Sequence, residues 1–453
     1  MLFTTFNFLA FLCVVLALFY AMPRPWRRYL LLAASLYFYM AWKARFVFLI
    51  LGLITIDYFA ALWIVHKEGR KRRIALLVSL AANIGLLGYF KYTNFLRDII
   101  GFHPIDIILP LGISFHTFQS ISYVIDVYRG EQPAITSYVD YALFVAFFPQ
   151  LVAGPIVRAK EFFLDYFNWQ PPTGAEWQRG FSMILTGFIK KLICADQFAL
   201  VADSYFNNPA ALPGFLPAWT GAIAFALQIF FDFSGYTDIA IGVALLFGYH
   251  FPENFRRPYL SASVTEFWRR WHMTLSGWLR DYVYISLGGN RKGAIRTYAN
   301  LLATMLIGGL WHGASWNFVI WGGYQGAVLA IERMVHGRRE YRGMIRIPLA
   351  VLTFLITCVG WVFFRAKTLA ASVFVIGQMF RPLEPGAFLM SSVQVHLALA
   401  TLFIALAEEY CGVLTTLSQG PAWARTIAAV CALLAIEMFT ATDQSIPFVY
   451  FQF

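Results

Sequence analysis

Two histidines are the side chains best placed to do chemistry in a chain that is otherwise apolar. His272 ends the run Trp268-Arg269-Arg270-Trp271-His272, and His312 lies in Gly308-Gly309-Leu310-Trp311-His312-Gly313. The second falls within the hydrophobic stretch 301–320. An ionisable side chain is costly there and by default marks a functional site facing a cavity or the bundle interior. A neutral imidazole moves protons near pH 7 more readily than any other unperturbed side chain. The pair therefore points to proton-transfer chemistry inside a membrane. The bland alternatives are a core histidine bonded to a carbonyl for His312 and an interface residue for His272. Gly308, Gly309 and Gly313 weigh against the first, because they let a second backbone or a ligand come close.

Other polar groups are sparser. Phe231-Asp232-Phe233-Ser234-Gly235-Tyr236-Thr237-Asp238 sets two carboxylates around a Ser-Gly break between apolar runs. They could relay protons, pair with Arg256 or Arg257, or cap helices at a turn. Gly288-Gly289-Asn290-Arg291-Lys292 offers glycines and cations suited to a phosphate-bearing ligand, and would serve equally as a tight basic turn. Arg280, Asn290 and Arg291 are the candidate contacts for such a ligand. Gly112-Ile113-Ser114-Phe115-His116 lacks the second glycine of a nucleophile elbow, which argues against a serine hydrolase. No P-loop or dinucleotide fingerprint occurs. Cys13, Cys194, Cys358, Cys411 and Cys431 are scattered without CxxC spacing, so neither a disulfide framework nor a metal centre is expected. The chain ends Phe448-Val449-Tyr450-Phe451-Gln452-Phe453. So aromatic a terminus reads as an interfacial anchor, or as a tail inserted in a cavity that presents the Tyr450 hydroxyl as an acyl acceptor.

These groups must be positioned by membrane helices. Hydrophobic residues make up 59% of the 453 and charged residues 13%, against about 25% charged in soluble domains. Several apolar runs reach the length of about 20 residues needed to span a bilayer. The runs fall near 2–22, 29–42, 44–65, 74–90, 139–153, 181–200, 217–233, 237–250, 298–312, 317–335, 346–364, 395–409 and 424–440. The expected fold is an all-α, polytopic integral membrane helical bundle with about 11–13 membrane segments, some short or re-entrant. With no Ser/Gly-rich linker, residues 1–453 are expected to form a single integral domain. The first run precedes its basic residues, so it reads as a retained helix and not a cleaved signal.

The net charge of +11 is concentrated in short loops, including Arg24, Arg27 and Arg28, then Lys67 and Arg70 to Arg73, then Arg338, Arg339, Arg342 and Arg346. Such loops stay cytoplasmic, which places the N-terminus outside. This placement suits a lipid bilayer and argues against nucleic acid as a partner. The stretch 105–127 is apolar but interrupted by Pro110, Gly112, Ser114 and His116, so it is expected in the middle of the protein, where irregular backbone is tolerated.

The stretch 263–286 differs again. Ser263-Val264-Thr265-Glu266 has the form of a capping box. Beyond it, Trp268, Trp271, Leu275, Trp278 and Tyr282 recur at helical spacing, with Arg269, His272, Ser276 and Arg280 on another face. One amphipathic helix is expected, either flat at the interface or lining a cavity with its polar face.

Taken together, Phe231 to Tyr236, Thr265-Glu266-Phe267-Trp268-Arg269-Arg270-Trp271-His272, Trp278-Leu279-Arg280-Asp281-Tyr282, Leu287-Gly288-Gly289-Asn290-Arg291 and Gly309-Leu310-Trp311-His312-Gly313 resemble the membrane-bound O-acyltransferases. The likeness is greatest to the bacterial branch that acetylates exopolysaccharides such as alginate, and it extends over most of the chain.

The resemblance implies a bundle around a central tunnel, with acyl donor entering from the cytoplasm and acceptor from the opposite side. It matches His312 to the family's catalytic histidine, expected to act as general base, and His272 to the second histidine or asparagine position, expected to orient His312 or to bind the carbonyl oxygen. A related D-alanylation system uses a short partner peptide with a tyrosine in a similar aromatic terminus, which makes Tyr450 the candidate acyl relay. His116 falls in an aromatic slot of the family pattern and is not promoted to catalysis.

The implied function is transfer of acetyl from acetyl-CoA, a donor substrate and not a bound cofactor, across the bacterial inner membrane. A periplasmic acetyltransferase partner would then modify an exopolysaccharide, alginate or cellulose among others. A transporter moving donor or polymer without bond making, or a scaffold for a periplasmic enzyme, are the rival classes.

Overall fold

Inside hydrocarbon every backbone N–H and C=O must be satisfied within its own segment or a closed barrel, so apolar runs of this length fold as helices. The computed structural model describes all residues except 153, 338–340, 414–419, 441–447 and 450–453, together with the side chain of residue 336. Among the described residues there are helices and turns but no strand. Ala44–His66, Gly69–Ile99, Phe215–Leu246, Gly343–Arg365, Ser392–Cys411 and Ala422–Phe439 are long and apolar enough to cross a membrane. The chain is an all-α polytopic membrane protein, as the sequence predicts.

The chain forms two compact units, Met1–Ile184 with Tyr236–Pro252, and Leu185–Gly235 with Glu253–Phe453. In the first, helices Val47–His66, Gly69–Leu87 and Ile113–Arg129 pack together. The irregular stretch expected at 105–127 is confined to its first part. A left-handed Gly112 (φ 70°) precedes the helix, and only glycine fits there, since a Cβ would collide with the Leu151 carbonyl oxygen at 2.1 Å. Ser114 and His116 then sit inside regular, buried helix. Asp57 is fully buried and accepts hydrogen bonds from Ser79 Oγ at 2.6 Å and from Asn83 Nδ2 at 2.9 and 3.0 Å.

In the second unit, Phe225, Trp271, Trp321, Trp361 and Val362 are core residues. Helices Ala294–His312 and Trp316–His336 pack at backbone contact. A Cβ on Gly309 would lie 2.3 Å from the Phe318 carbonyl oxygen, and one on Gly322 2.5 Å from that of Met305. Of the glycines beside His312, Gly309 thus admits a second backbone, one of the two roles the sequence allowed, whereas a Cβ on Gly308 would meet the Leu279 side chain at 3.1 Å and one on Gly313 the Phe318 ring at 2.0 Å.

Two expectations are overturned. The runs 217–233 and 237–250 are one helix, Phe215–Leu246, of 32 residues, about 48 Å long at 1.5 Å per residue. Ser234 and Gly235 do not break it. Gly235 is there for proximity: a Cβ would meet the Gly187 carbonyl oxygen at 2.8 Å. Conversely, 263–286 is not one amphipathic helix. It divides into Val264–Arg270 and Met273–Trp278, with His272 left-handed (φ 42°, ψ 54°) at the join and a π-helical turn Leu279–Tyr284 following. The capping box is half formed. Ser263 Oγ accepts the Glu266 N–H at 3.0 Å, but Glu266 Oε2 reaches back to the Ala262 N–H at 2.9 Å.

Candidate active site

The join at His272 is held by a segment that precedes it. A left-handed non-glycine residue costs about 1–3 kcal/mol and persists only where its surroundings over-determine it. Here the Arg256 N–H donates to the Arg270 carbonyl at 2.9 Å and the Met273 N–H to the Asn254 carbonyl at 2.9 Å. The buried Asn254 side chain then fixes the imidazole. Its Oδ1 accepts from the Thr274 N–H at 3.2 Å and the Thr274 hydroxyl at 2.9 Å, and lies 3.1 Å from His272 Nδ1. A backbone N–H can only donate, so the Asn254 atom at that point is the oxygen. His272 Nδ1 must therefore carry the proton, and Nε2 keeps the lone pair. Among the described residues, the only other non-glycine with left-handed backbone is Arg257 (φ 44°), in the same holding segment.

His272 is fully buried, and burial pushes its pKa down to about 3. The neutral ring lies 4.7 Å from Phe233 at 87°, 6.2 Å from Phe255 and 5.9 Å from Trp311, centroid to centroid. His312, the last residue of its helix and 5% exposed, is 4.9 Å from Trp311, 5.1 Å from Trp321 and 5.1 Å from Phe364. The Trp311 ring is thus shared between the two histidines. Sequence spacing put His272 on a polar face with Arg269, Ser276 and Arg280. The break turns it into an aromatic enclosure beside His312 instead. As a neutral Nδ1–H tautomer, His272 offers an acceptor at Nε2 and cannot donate from that atom to a carbonyl oxygen.

Asp232 is 1% exposed in mid-helix, so it caps nothing. Its partner is neither Arg256, which pairs with Glu253 at 2.6 Å, nor Arg257, which pairs with Glu409 at 2.6 Å. It is Lys191, whose Nζ lies 2.9 Å from Asp232 Oδ1 and 2.7 Å from Asp196 Oδ1. The other Asp232 oxygen accepts the Val449 N–H at 2.6 Å. Phe448 and Val449 are fully buried, and the Phe448 ring lies 6.1 Å from Phe233. Tyr450 lies outside the described residues.

The candidate ligand contacts sit elsewhere. Arg280 is exposed and spends its guanidinium on Asp281 (2.6 and 3.0 Å). Asn290 and Arg291 are exposed on a turn shaped by Gly288 (φ 106°) and Gly289 (φ 58°). Among the described residues no group of three or more His, Cys, Asp or Glu converges on a metal position.

Sequence reasoning missed Asn254 and Lys191. Asn254 was visible only as one polar residue in a loop, and its partner is 18 positions away. For Lys191 the signal was there: a lysine inside the apolar run 181–200 needs a carboxylate.

The membrane-bound O-acyltransferase family matches residues 131–373. A probable alginate O-acetylase of Pseudomonas putida is 41% identical, covering 98% of each chain. A peptidoglycan O-acetyltransferase of Helicobacter pylori is 38% identical over 79% of this chain and 73% of its own. A teichoic acid D-alanyltransferase of Bacillus subtilis is 29% identical over 58% and 70% respectively.

Proposed function

The chain belongs to the membrane-bound O-acyltransferase family and is an O-acyltransferase; from that premise we propose that it passes acetyl across the bacterial inner membrane for O-acetylation of an exopolysaccharide. The observation that carries the site assignment is the enclosure in which His272 and His312 share Trp311. The two relatives named for O-acetylation of alginate and peptidoglycan support an acetyl group and a cell-envelope polymer. Family membership also sets aside the transporter and the scaffold, which make no bond.

In this reading acetyl-CoA is the donor and His312 the general base. A phenol of pKa about 10 is protonated at neutral pH, so His312 takes the Tyr450 proton as the phenolate oxygen attacks the thioester carbonyl. The C–S bond breaks, the proton passes to the leaving thiolate, and acetyl-Tyr450 and coenzyme A result. A periplasmic acetyltransferase partner then moves the acetyl to a sugar hydroxyl and regenerates the phenol. A positioned base of this kind contributes about 10²–10⁴-fold.

His272 acts through its orientation and its accepting Nε2. The aromatic walls that bury both histidines would limit the access of water, which hydrolyses an acyl ester. Asn290 and Arg291 would serve the donor's phosphates from their exposed positions, and Arg280 would join them on leaving Asp281.

The test is mass spectrometry of the C-terminal peptide after purified protein meets acetyl-CoA. Acetyl on Tyr450 in the wild type and its absence in His312→Ala is the expected result. Acetyl in neither would remove the Tyr450 relay, and equal acetyl in both would remove His312 as base.

A further inference from the structure

We propose that Asp232 is a positioning residue that anchors the C-terminal tail through its backbone, holding it in register with the histidine pair. The geometry divides the carboxylate in two. Oδ1 is 2.9 Å from the Lys191 ammonium, and Oδ2 takes the Val449 N–H at 2.6 Å. Lys191 is itself 3% exposed and also bonded to Asp196, so one buried ammonium is shared between the two carboxylates and lies directly against Asp232. A hydrogen bond to an ionised acceptor is about twice as strong as one between neutral groups. Being made to the main chain, this one fixes the position of residue 449 along the tail whatever its side chain.

The next residue on the helix, Phe233, links this anchor to the site. Its ring has Phe448 of the tail at 6.1 Å and His272 at 4.7 Å. Tyr450 is the next residue in the sequence after Val449. Pinning one backbone atom therefore limits where the phenol can go, which is how a bound nucleophile gains effective concentration. The anchoring stands on the Asp232–Val449 contact alone, whereas its catalytic use rests on the Tyr450 reading above.

The experiment compares wild type, Asp232→Asn and Val449→Pro, all full length in lipid nanodiscs. Asp232→Asn disturbs Lys191 as well as the tail. Val449→Pro removes the donated N–H, fixes φ at that residue and replaces the buried valine side chain, but it leaves both partners of the ion pair in place, so it remains informative if the first variant folds poorly. Hydrogen–deuterium exchange over the peptide containing Phe448 and Val449 is read first. Both variants are expected to exchange at least tenfold faster than wild type there, and unchanged protection in both would overturn the anchor.

Acetylation of Tyr450 by acetyl-CoA is read second. Both variants are expected to lose at least tenfold in rate at saturating donor, with KM for acetyl-CoA within twofold of wild type. A merely structural Lys191–Asp232 pair would not slow Val449→Pro, so wild-type transfer in that variant would overturn the positioning role. A loosened tail in the variants together with no acetyl on wild-type Tyr450 would sink the relay and leave Asp232 as the anchor.

Discussion

The protein buries polar side chains in two very different ways. Around Asp57 in the first unit, the Ser79 hydroxyl and the Asn83 amide converge on one carboxylate at 2.6–3.0 Å. Those residues lie on two regular helices, Val47–His66 and Gly69–Leu87. Around His272 and His312 in the second unit, the neighbours are mostly rings, and the backbone at His272 is held left-handed. A carboxylate bonded by side chains of a second, unstrained helix ties helices together, and such bonds are a recognised glue between membrane segments. A strained residue in an aromatic enclosure adds nothing comparable to stability, and strain of this kind collects at functional sites. Burial alone does not distinguish a clamp from a reactive group; the chemistry of the neighbours does.

The largest effect should separate the two centres in opposite directions. His312→Ala is expected to lower kcat for acetyl transfer by about 10²–10⁴-fold while leaving the thermal midpoint near that of wild type. Asp57→Ala leaves the Ser79 hydroxyl and the Asn83 amide without their acceptor, at a cost of about 1–3 kcal/mol, with kcat per folded molecule within about twofold. Activity assays beside thermal unfolding in one detergent read both quantities. If Asp57→Ala killed transfer in well-folded protein, the clamp would have to be counted as part of the machinery.

How much of this contrast was readable beforehand depends on the range of each interaction. His272 and His312 stood out because an ionisable group in an apolar run is conspicuous by itself. The membrane helices were legible for the same reason. Helical periodicity, however, is local. Trp268, Trp271, Leu275 and Trp278 keep perfect spacing across 263–286, and nothing within that window says that the helix stops at Trp271. The stop is imposed by Asn254 and Arg256, which take over the hydrogen bonds at the join. The error at Ser234-Gly235 runs the other way. Glycine weakens a helix by about 1 kcal/mol relative to alanine, so it reads as a break. Its value here is the absent side chain, which admits the Gly187 carbonyl. The tail's contact with Asp232 spans 217 positions, far beyond any local pattern.

A smaller effect sharpens the comparison inside the second unit. Asn254→Leu removes the acceptor that fixes the His272 tautomer and the bond to Thr274. Misplacing a reacting group by about 1 Å can cost 10²-fold, so a loss of roughly that size in kcat is expected, less than for His312→Ala at its upper range. Asn254→Asp keeps the acceptor geometry but puts a charge beside Nδ1. That charge raises the imidazole pKa from its burial-depressed value, so the acid limb of the pH–rate profile should move upward. An unshifted profile would mean that His272 does not titrate in the rate-determining step.

The smallest effect concerns a third histidine, one that water reaches. His250 in the first unit lies 3.2 Å from Asp165 Oδ1 through Nδ1 and 2.8 Å from Glu176 Oε1 through Nε2, with its side chain 55% exposed. Burial pulls its pKa down, but the bond to Glu176 and the charge of Asp165 outweigh it and the net shift is upward from 6.5. The Thr173 N–H and then His250 hold Glu176 down at about 2, from an ordinary 4.5.

The two shifts set opposite limits. A histidine with a raised folded pKa contributes fully below 6.5 and loses that contribution as pH rises through the folded value. A carboxylate with a lowered one contributes fully above 4.5 and loses it as pH falls toward 2. The tie is therefore strongest between pH 4.5 and 6.5. Solvent screening keeps it to at most about 1 kcal/mol. His250→Gln should flatten the pH dependence of the thermal midpoint in that window by a degree or so and leave acetyl transfer untouched. A drop in transfer comparable to that of Asn254→Leu would show that a solvated, ion-paired histidine can matter as much as one buried among rings, and the contrast drawn from the neighbours would fail.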